Sequence, residues 1–312
     1  MQMGWQWQEP SFVWFRDVSP RDGLQAEKMI LETKDKVQLI NQLTQAGVPR
    51  IEVTSFVSPR WLPQMADAEE VMAAIDRKPG VVYSVLVPNP KGAERAVATK
   101  PDEMTVFVSA SETHNQKNVH RSITESLQGF RDIGAMVRVH GIKVSAVIVT
   151  AFGCPYEGVV SLSSVLDLAQ RLQELGIDEI TLGDTVGVAN PKQVANMVGA
   201  FREKLPQVEM ALHFHDTRGT ALANLLAAVG SGASKFETAL GGIGGSPFSP
   251  GAGGNLSTED SVYCLMEMGI VTGIDLKLLL YATQFLVEKL GHDVPSRVFH
   301  AGGKMIPVNA RH

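Results

Sequence analysis

The chain has 312 residues, 44% of them hydrophobic and 20% charged, with a net charge of −5, which is the balance of a globular protein with ample length for a large core and excludes a disordered one. No clustered Lys/Arg tract offers a footprint for nucleic acid or an anionic membrane, and no run reaches the roughly 18 apolar residues of a membrane span. Cys154 and Cys264 stand far apart without metal-type spacing, which rules out a disulfide framework and suits a reducing cytoplasm, and the start "MQMGWQWQEPS" lacks the basic and apolar regions of a signal peptide.

Short runs rich in Val, Ile, Thr and Phe alternate with longer segments of helical period along the whole chain. Eight strands are expected, at 13–19, 50–56, 81–88, 103–110, 143–152, 179–185, 209–217 and 235–242. Helices are expected at 33–46, 67–76, 122–139, 161–175, 191–204 and 219–229, with 257–268 after the eighth strand and an additional one near 275–290. Thr33 and Ser257 read as cap residues, while Gly47, Gly176 and Gly230 stand where helices should stop.

Eight strand–helix units predict an α/β fold, a (β/α)8 TIM barrel with an additional C-terminal helix. An open doubly wound sheet would be expected to begin with a Gly-rich turn after its first strand, and "SPRDGLQ" is no such turn. No linker divides the chain. A single domain over 1–312 is expected, its core at about 13–290 and a flexible tail at about 301–312.

Barrel chemistry collects at the C-terminal ends of strands, and here those ends are polar. In "HFH", His213 and His215 share a strand face about 7 Å apart at the backbone, so both rings could converge on one ion; the competing reading is a packed core histidine beside a chance neighbour. Arg21 and Asp22 follow the first strand. They read either as a structural ion pair or as a stabiliser of negative charge on a substrate oxygen beside an oxygen ligand. Closure of a barrel brings strands seven, eight and one together, so Asp22, His213 and His215 can reach one centre. That donor set suggests six-coordinate Mg²⁺ or Mn²⁺ rather than closed structural zinc. Asn255 either supplies an amide to that centre or caps the helix beginning near Ser257.

Weaker candidates surround these. Gln25, Glu52 and Asp184 read as substrate or supporting contacts, or as groups bonding loop backbone. His114, in "SETHNQKN", reads as a solvated loop histidine that could touch substrate, and Cys154 as an inert packed thiol with no paired histidine.

With these residues assembled, the chain resembles the 3-hydroxy-3-methylglutaryl-CoA lyase family, among metal-dependent barrel lyases and Claisen-type synthases. "PRDGLQAEK", "IEVTSFVSPRWLPQMAD", "GCPYEG", "LGDTVGVANP", "HFHDTRGTALAN" and "GAGGNLSTED" look like its signature blocks, in order. The resemblance implies a divalent cation held by Asp22, His213, His215 and Asn255, and Arg21 polarising a thioester carbonyl. It also implies cleavage of a carbon–carbon bond in a tertiary 3-hydroxyacyl-CoA, giving an acyl-CoA and a keto acid.

Two positions depart from the family. Its loop after strand eight reads like "GLGGCPY", with a cysteine thought to be catalytic, whereas this chain reads "GIGGSPF" and carries Ser246 there. An alcohol has a far higher pKa than a thiol's ~8.5 and is a poor acid–base group near neutrality. The glycines of this loop read as hinges of a lid over a CoA ester. Asp17 stands where the family tends to carry glutamate in "ExxPRDG", which suggests an altered contact to Arg21.

The expected protein is therefore a cytoplasmic lyase whose partner is an acyl-CoA, with neither nucleic acid nor membrane among its partners and self-association into a homo-oligomer left open. The alternatives are a lyase for citramalyl-CoA or longer branched hydroxyacyl-CoA, a Claisen-type acyl-CoA/keto-acid synthase, and, outside enzymes, an interaction protein.

Overall fold

The computed structural model describes residues 10–177, 179–245 and 253–302. Eight parallel strands close into a barrel in chain order: β1 (Trp14–Asp17), β2 (Arg50–Ser55), β3 (Val82–Leu86), β4 (Glu103–Ser109), β5 (Lys143–Val149), β6 (Glu179–Asp184), β7 (Glu209–Phe214) and β8 (Lys235–Thr238). Phe15 lies opposite Phe236 and Asp17 opposite Thr238, so β1 and β8 seal the sheet and leave no edge. The helices are α1 (Thr33–Gln45), α2 (Ala68–Ala74), α3 (Pro90–Val97), α4 (Glu112–Val119), α5 (Ile123–Arg138), α6 (Leu162–Glu174), α7 (Pro191–Lys204), α8 (Ala221–Gly230), α9 (Thr258–Glu267), α10 (Leu276–Leu290) and α11 (Arg297–Ala301).

The expected (β/α)8 barrel is the fold that forms. Helical period does the packing: in α7, Val194, Met197, Val198 and Phe201 fall at i, i+3, i+4 and i+7, and all four are buried. Burying one such side chain contributes roughly 1.5–3 kcal/mol, so this apolar stripe holds α7 to the barrel. The strands are shorter at their C-terminal ends than their sequences suggest. After Asp17, Val18 O accepts from Gly23 N at 3.2 Å as well as from Asp22 N at 2.7 Å, and the first of these closes Ser19–Gly23 into a single π-helical turn instead of extending the strand.

Three helices, α3, α4 and the short α11, were not legible as such. α3 begins "NPKG", which reads as a turn, yet Asn89 Oδ1 accepts from Gly92 N and Pro90 sits in the first turn, both favourable helix starts. α4 covers "ETHNQKNV", which has no apolar period; Ser111 caps it by accepting from His114 N. Ser257 caps α9 as expected, but Thr33 is the first residue of α1, and its hydroxyl donates to Asp67. Gly47 and Gly176 take positive φ after their helices, whereas Gly230 is the last residue of α8 and Gly232 makes the reversal, with φ 89°. The flexible tail expected at 301–312 lies, from residue 303, outside the described residues.

Beneath the mouth the barrel interior is ionic. Arg16, 3% exposed, projects from β1 and donates to Glu103, Glu179 and Glu237 on β4, β6 and β8. Arg50 bonds the second oxygens of Glu103 and Glu179 at 2.7 and 2.6 Å, and Lys235 adds a third cation on Glu179. Burial works against every one of these charges, so the layer persists through mutual pairing.

Candidate active site and metal centre

The π-helical turn aims Arg21 and Asp22 over the barrel mouth. Asp17, buried at the end of β1, anchors it: one carboxylate oxygen accepts from Ser19 N at 2.9 Å and the other from Thr258 Oγ1 at 2.7 Å. Asp17 thus serves the turn and α9. Arg21 is held instead by Glu52 on β2, Nε to Oε2 at 2.5 Å, and by Asp22, Nη1 to Oδ1 at 2.6 Å. These carboxylates raise the guanidinium pKa against the opposing effect of burial.

His213 lies on β7 in register with Glu237, and His215 lies just beyond the strand, bridged to Asn255. Their ring centres are 5.1 Å apart. One ligand atom from each of Asp22, His213 and His215 falls within 4.8 Å of the others. The orientations suit an ion: His213 Nδ1 bonds Glu237 Oε2 at 3.1 Å and His215 Nδ1 bonds Gly253 O at 3.0 Å, so each ring has Nε2 to offer.

Asn255 completes the set. It is 2% exposed, and Nδ2 donates to Asp22 Oδ2 at 2.8 Å and to Ile243 O at 3.0 Å. Its Oδ1 is buried with no hydrogen-bond partner among the described residues, a costly state for an amide oxygen unless something else occupies its lone pairs. Capping does not explain this residue, because Ser257 caps α9. The donors present, one carboxylate, two imidazoles and a free amide oxygen, fit a divalent cation.

Electrostatics favour the ligand forms of Asp22 and His215. Burial opposes ionisation of Asp22, but Arg21, His213 and His215 hold its pKa down to about 2. Burial and the neighbouring His213 lower His215 to about 4, leaving a neutral imidazole able to coordinate. His213 moves the other way: burial lowers it, and the bond and charge of Glu237 more than restore it.

The remaining candidates are placed less directly. Glu52, 1% exposed on β2, supports Arg21, and burial raises its pKa. Asp184 ends β6 with its oxygens accepting from Val188 N and Ala189 N at 2.9 and 3.0 Å, so it organises the following loop. Gln25 is half-buried beyond the π-helical turn. Ser246 and the middle of the glycine loop expected to form a lid, residues 246–252, lie outside the described residues.

His114 corrects the solvated-loop reading. It sits on α4, is 1% exposed, and packs its ring 6.0 Å from that of Tyr156. Cys154 is buried, with Sγ 3.0 Å from Ser111 Oγ. A cavity of about 870 Å³ opens beside it between the loops that follow β5, β6 and β7, but its lining includes none of the triad. The site is therefore marked by its donors rather than by volume.

Besides Glu103 and Glu179 of the barrel floor, two buried carboxylates went unread in the sequence. Glu237, in "KFETALGG", backs His213; its signal was a charge in the middle of an apolar strand. Glu259, in "LSTED", passed as part of a cap, yet it accepts from Gly241 N at 2.9 Å and from Ser257 and Thr283 hydroxyls, and burial raises its pKa to about 7.

Comparison with known proteins supplies the context. Residues 12–286 match the HMGL-like family. The chain is 46% identical to the hydroxymethylglutaryl-CoA lyase YngG of Bacillus subtilis over 92% of this chain and 96% of that one. It is 45% identical to the mitochondrial hydroxymethylglutaryl-CoA lyase of Rattus norvegicus, over 95% and 91%. An HMG-CoA lyase from Acinetobacter baumannii, solved with coenzyme A and 3-methylmalate, superposes with a TM-score of 0.91 at 43% identity, covering 96% of this chain and 98% of that one.

Proposed function

The chain belongs to the HMGL-like family and is a carbon–carbon lyase for 3-hydroxy-3-methylglutaryl-CoA or a similar 3-hydroxyacyl-CoA, and we propose that it works with Mg²⁺ or Mn²⁺ held by Asp22, His213, His215 and Asn255. The observation that carries the metal assignment is the Asn255 Oδ1 left without a partner among the described residues, beside the convergent triad. When bound, such a cation supplies Lewis acidity to the substrate's hydroxyl and carboxylate and lowers the hydroxyl pKa.

The chain's own groups do the rest. Transfer of the hydroxyl proton to a base at the mouth lets that oxygen form a ketone; the adjacent carbon–carbon bond breaks, and its electron pair passes into the thioester as an enolate. Arg21 stabilises that enolate oxygen. Glu52 and Asp22 take its Nε and Nη1, which fixes the guanidinium plane and leaves Nη2 for the thioester. Because these partners are in place before substrate arrives, little reorganisation opposes the reaction. Proton return to the enolate carbon completes the acyl-CoA. Ser246 occupies the family's cysteine position, so we assign that proton to water or another mouth group rather than to an alcohol of high pKa.

A cytoplasmic setting accords with two free cysteines. Among the described residues, no helix is long and apolar enough to cross a membrane. The deciding experiment strips the protein with EDTA and follows acyl-CoA and keto-acid release from 3-hydroxy-3-methylglutaryl-CoA and citramalyl-CoA as Mg²⁺ or Mn²⁺ is restored. Equal rates in stripped and replete protein would contradict the metal assignment.

A further inference from the structure

Glu237 is shared between two neighbours. Oε2 faces His213 Nδ1 at 3.1 Å, while Oε1 accepts from Arg16 Nη1 at 3.1 Å and from Thr181 Oγ1 at 3.0 Å. Glu237 and Arg16 are 4% and 3% exposed, so neither contact is diluted by solvent. The other carboxylates around Arg16 are committed elsewhere: Glu103 and Glu179 each give one oxygen to Arg16 and one to Arg50. Within this group Arg16, Arg50 and Lys235 pair with Glu103, Glu179 and Glu237, and Glu237 is the glutamate that turns an oxygen toward His213.

The two imidazoles are backed differently. His215 rests on a neutral backbone carbonyl, Gly253 O, and His213 on a carboxylate tied through Arg16 to the barrel floor. A carboxylate behind an imidazole fixes the Nδ1–H tautomer, orients the ring and makes Nε2 a stronger donor. We infer that Glu237 and Arg16 are positioning residues for the divalent-cation site, acting together as an arm that reaches from the ionic barrel floor to His213. Arg16 holds the arm in place, and Glu237 transmits that constraint to the ring. Thr181 supports the same oxygen from β6.

This inference rests on the proposed metal reading, and its test separates the two. Stripped wild type, Glu237→Gln, Arg16→Met and Arg16→Lys are titrated with Mn²⁺ by calorimetry, melting temperatures are recorded alongside, and ¹⁵N-histidine spectra report the His213 tautomer. Glutamine keeps the size of Glu237 but cannot accept at both ends, so Glu237→Gln should weaken Mn²⁺ binding by about 10–100-fold and lose the single Nδ1–H tautomer. Arg16→Met should weaken binding in the same direction, and Arg16→Lys should recover most of it. If Arg16→Met does not fold, Glu237→Gln and Arg16→Lys carry the test. Wild-type Mn²⁺ affinity in folded Glu237→Gln would overturn the inference, whereas absence of Mn²⁺ binding by wild type would overturn the metal reading beneath it.

Discussion

Asn255 Nδ2 donates to Asp22 Oδ2 at 2.8 Å, joining residues 233 positions apart in the chain. The bond fixes the amide through Nδ2 and leaves Oδ1 without a donor among the described residues, while each Asp22 oxygen accepts one bond and keeps lone-pair capacity for a ligand. Asn255→Ala should therefore weaken Mn²⁺ binding by about tenfold or more while the protein still melts cooperatively. Calorimetric titration of the stripped variant measures this; unchanged affinity would remove Asn255 from the site.

Arg21→Met is the complementary case. The variant should bind Mn²⁺ close to normally and lose about 10²–10³-fold in kcat, corresponding to roughly 3–4 kcal/mol of charge stabilisation in the transition state. Steady-state kinetics beside a metal titration provide the check. Near-normal turnover would reduce Arg21 to a structural partner of Glu52.

The site was legible in the sequence where chemistry sits on strand ends. The HFH spacing and closure of the barrel were enough to bring Asp22, His213 and His215 together. Gly253 O as the acceptor for His215, and Asn255 released from capping duty, depend on how a long loop returns, which no local periodicity encodes. Likewise α4 lacks an apolar stripe, so His114 was read as solvated, although Tyr156 from a loop 42 residues later covers it. Charges inside strands were passed over because each looks unfavourable alone; Arg16 makes sense only beside Glu103, Glu179 and Glu237.

Glu259 predicts a stability profile. Its carboxyl is raised from 4.5 to about 7, chiefly by burial, so the folded protein binds more protons than the unfolded chain between those values. Stability from this group therefore falls as pH rises through that window, by on the order of 3 kcal/mol. Glu259→Gln cannot ionise and escapes this loss. In urea unfolding, the stability of the variant relative to wild type should rise between pH 5 and pH 8; a flat difference would refute the assignment.

Gly254 tests the loop's return path. A Cβ there would lie 1.8 Å from Gly242 O, and the clash is with backbone, which cannot rotate aside. Gly254→Ala should displace the adjacent Asn255 and lower metal affinity as well as melting temperature. Gly269→Ala, where no heavy atom lies within 4 Å of the added carbon but φ is +82°, should cost stability alone.

Ser246→Cys addresses the departure from the family. If 3-hydroxy-3-methylglutaryl-CoA is the substrate and proton return limits the rate, restoring the thiol should accelerate turnover about tenfold, or about 1.4 kcal/mol off the barrier. A substrate for which this site has been retuned should show no gain, so both esters are assayed with both proteins. An efficient wild-type rate on the first ester, unchanged by the substitution, would detach position 246 from the chemistry.

The ionic barrel floor has a consequence for how this sequence can drift. Its carboxylates come from three strands and converge on one guanidinium, so the pairing requires a cation in that layer without requiring that β1 deliver it. Ser145, whose Oγ already donates to Glu103 Oε1 at 2.7 Å, faces the same layer from β5. Arginine introduced there should be harmful in the present background, where it would crowd Arg16, and tolerated once Arg16 is an apolar residue. Arg16→Met combined with Ser145→Arg is then expected to melt closer to wild type than Arg16→Met alone. The floor would behave as a single inherited character that can change hands between strands, a kind of neutrality invisible to any one position taken by itself.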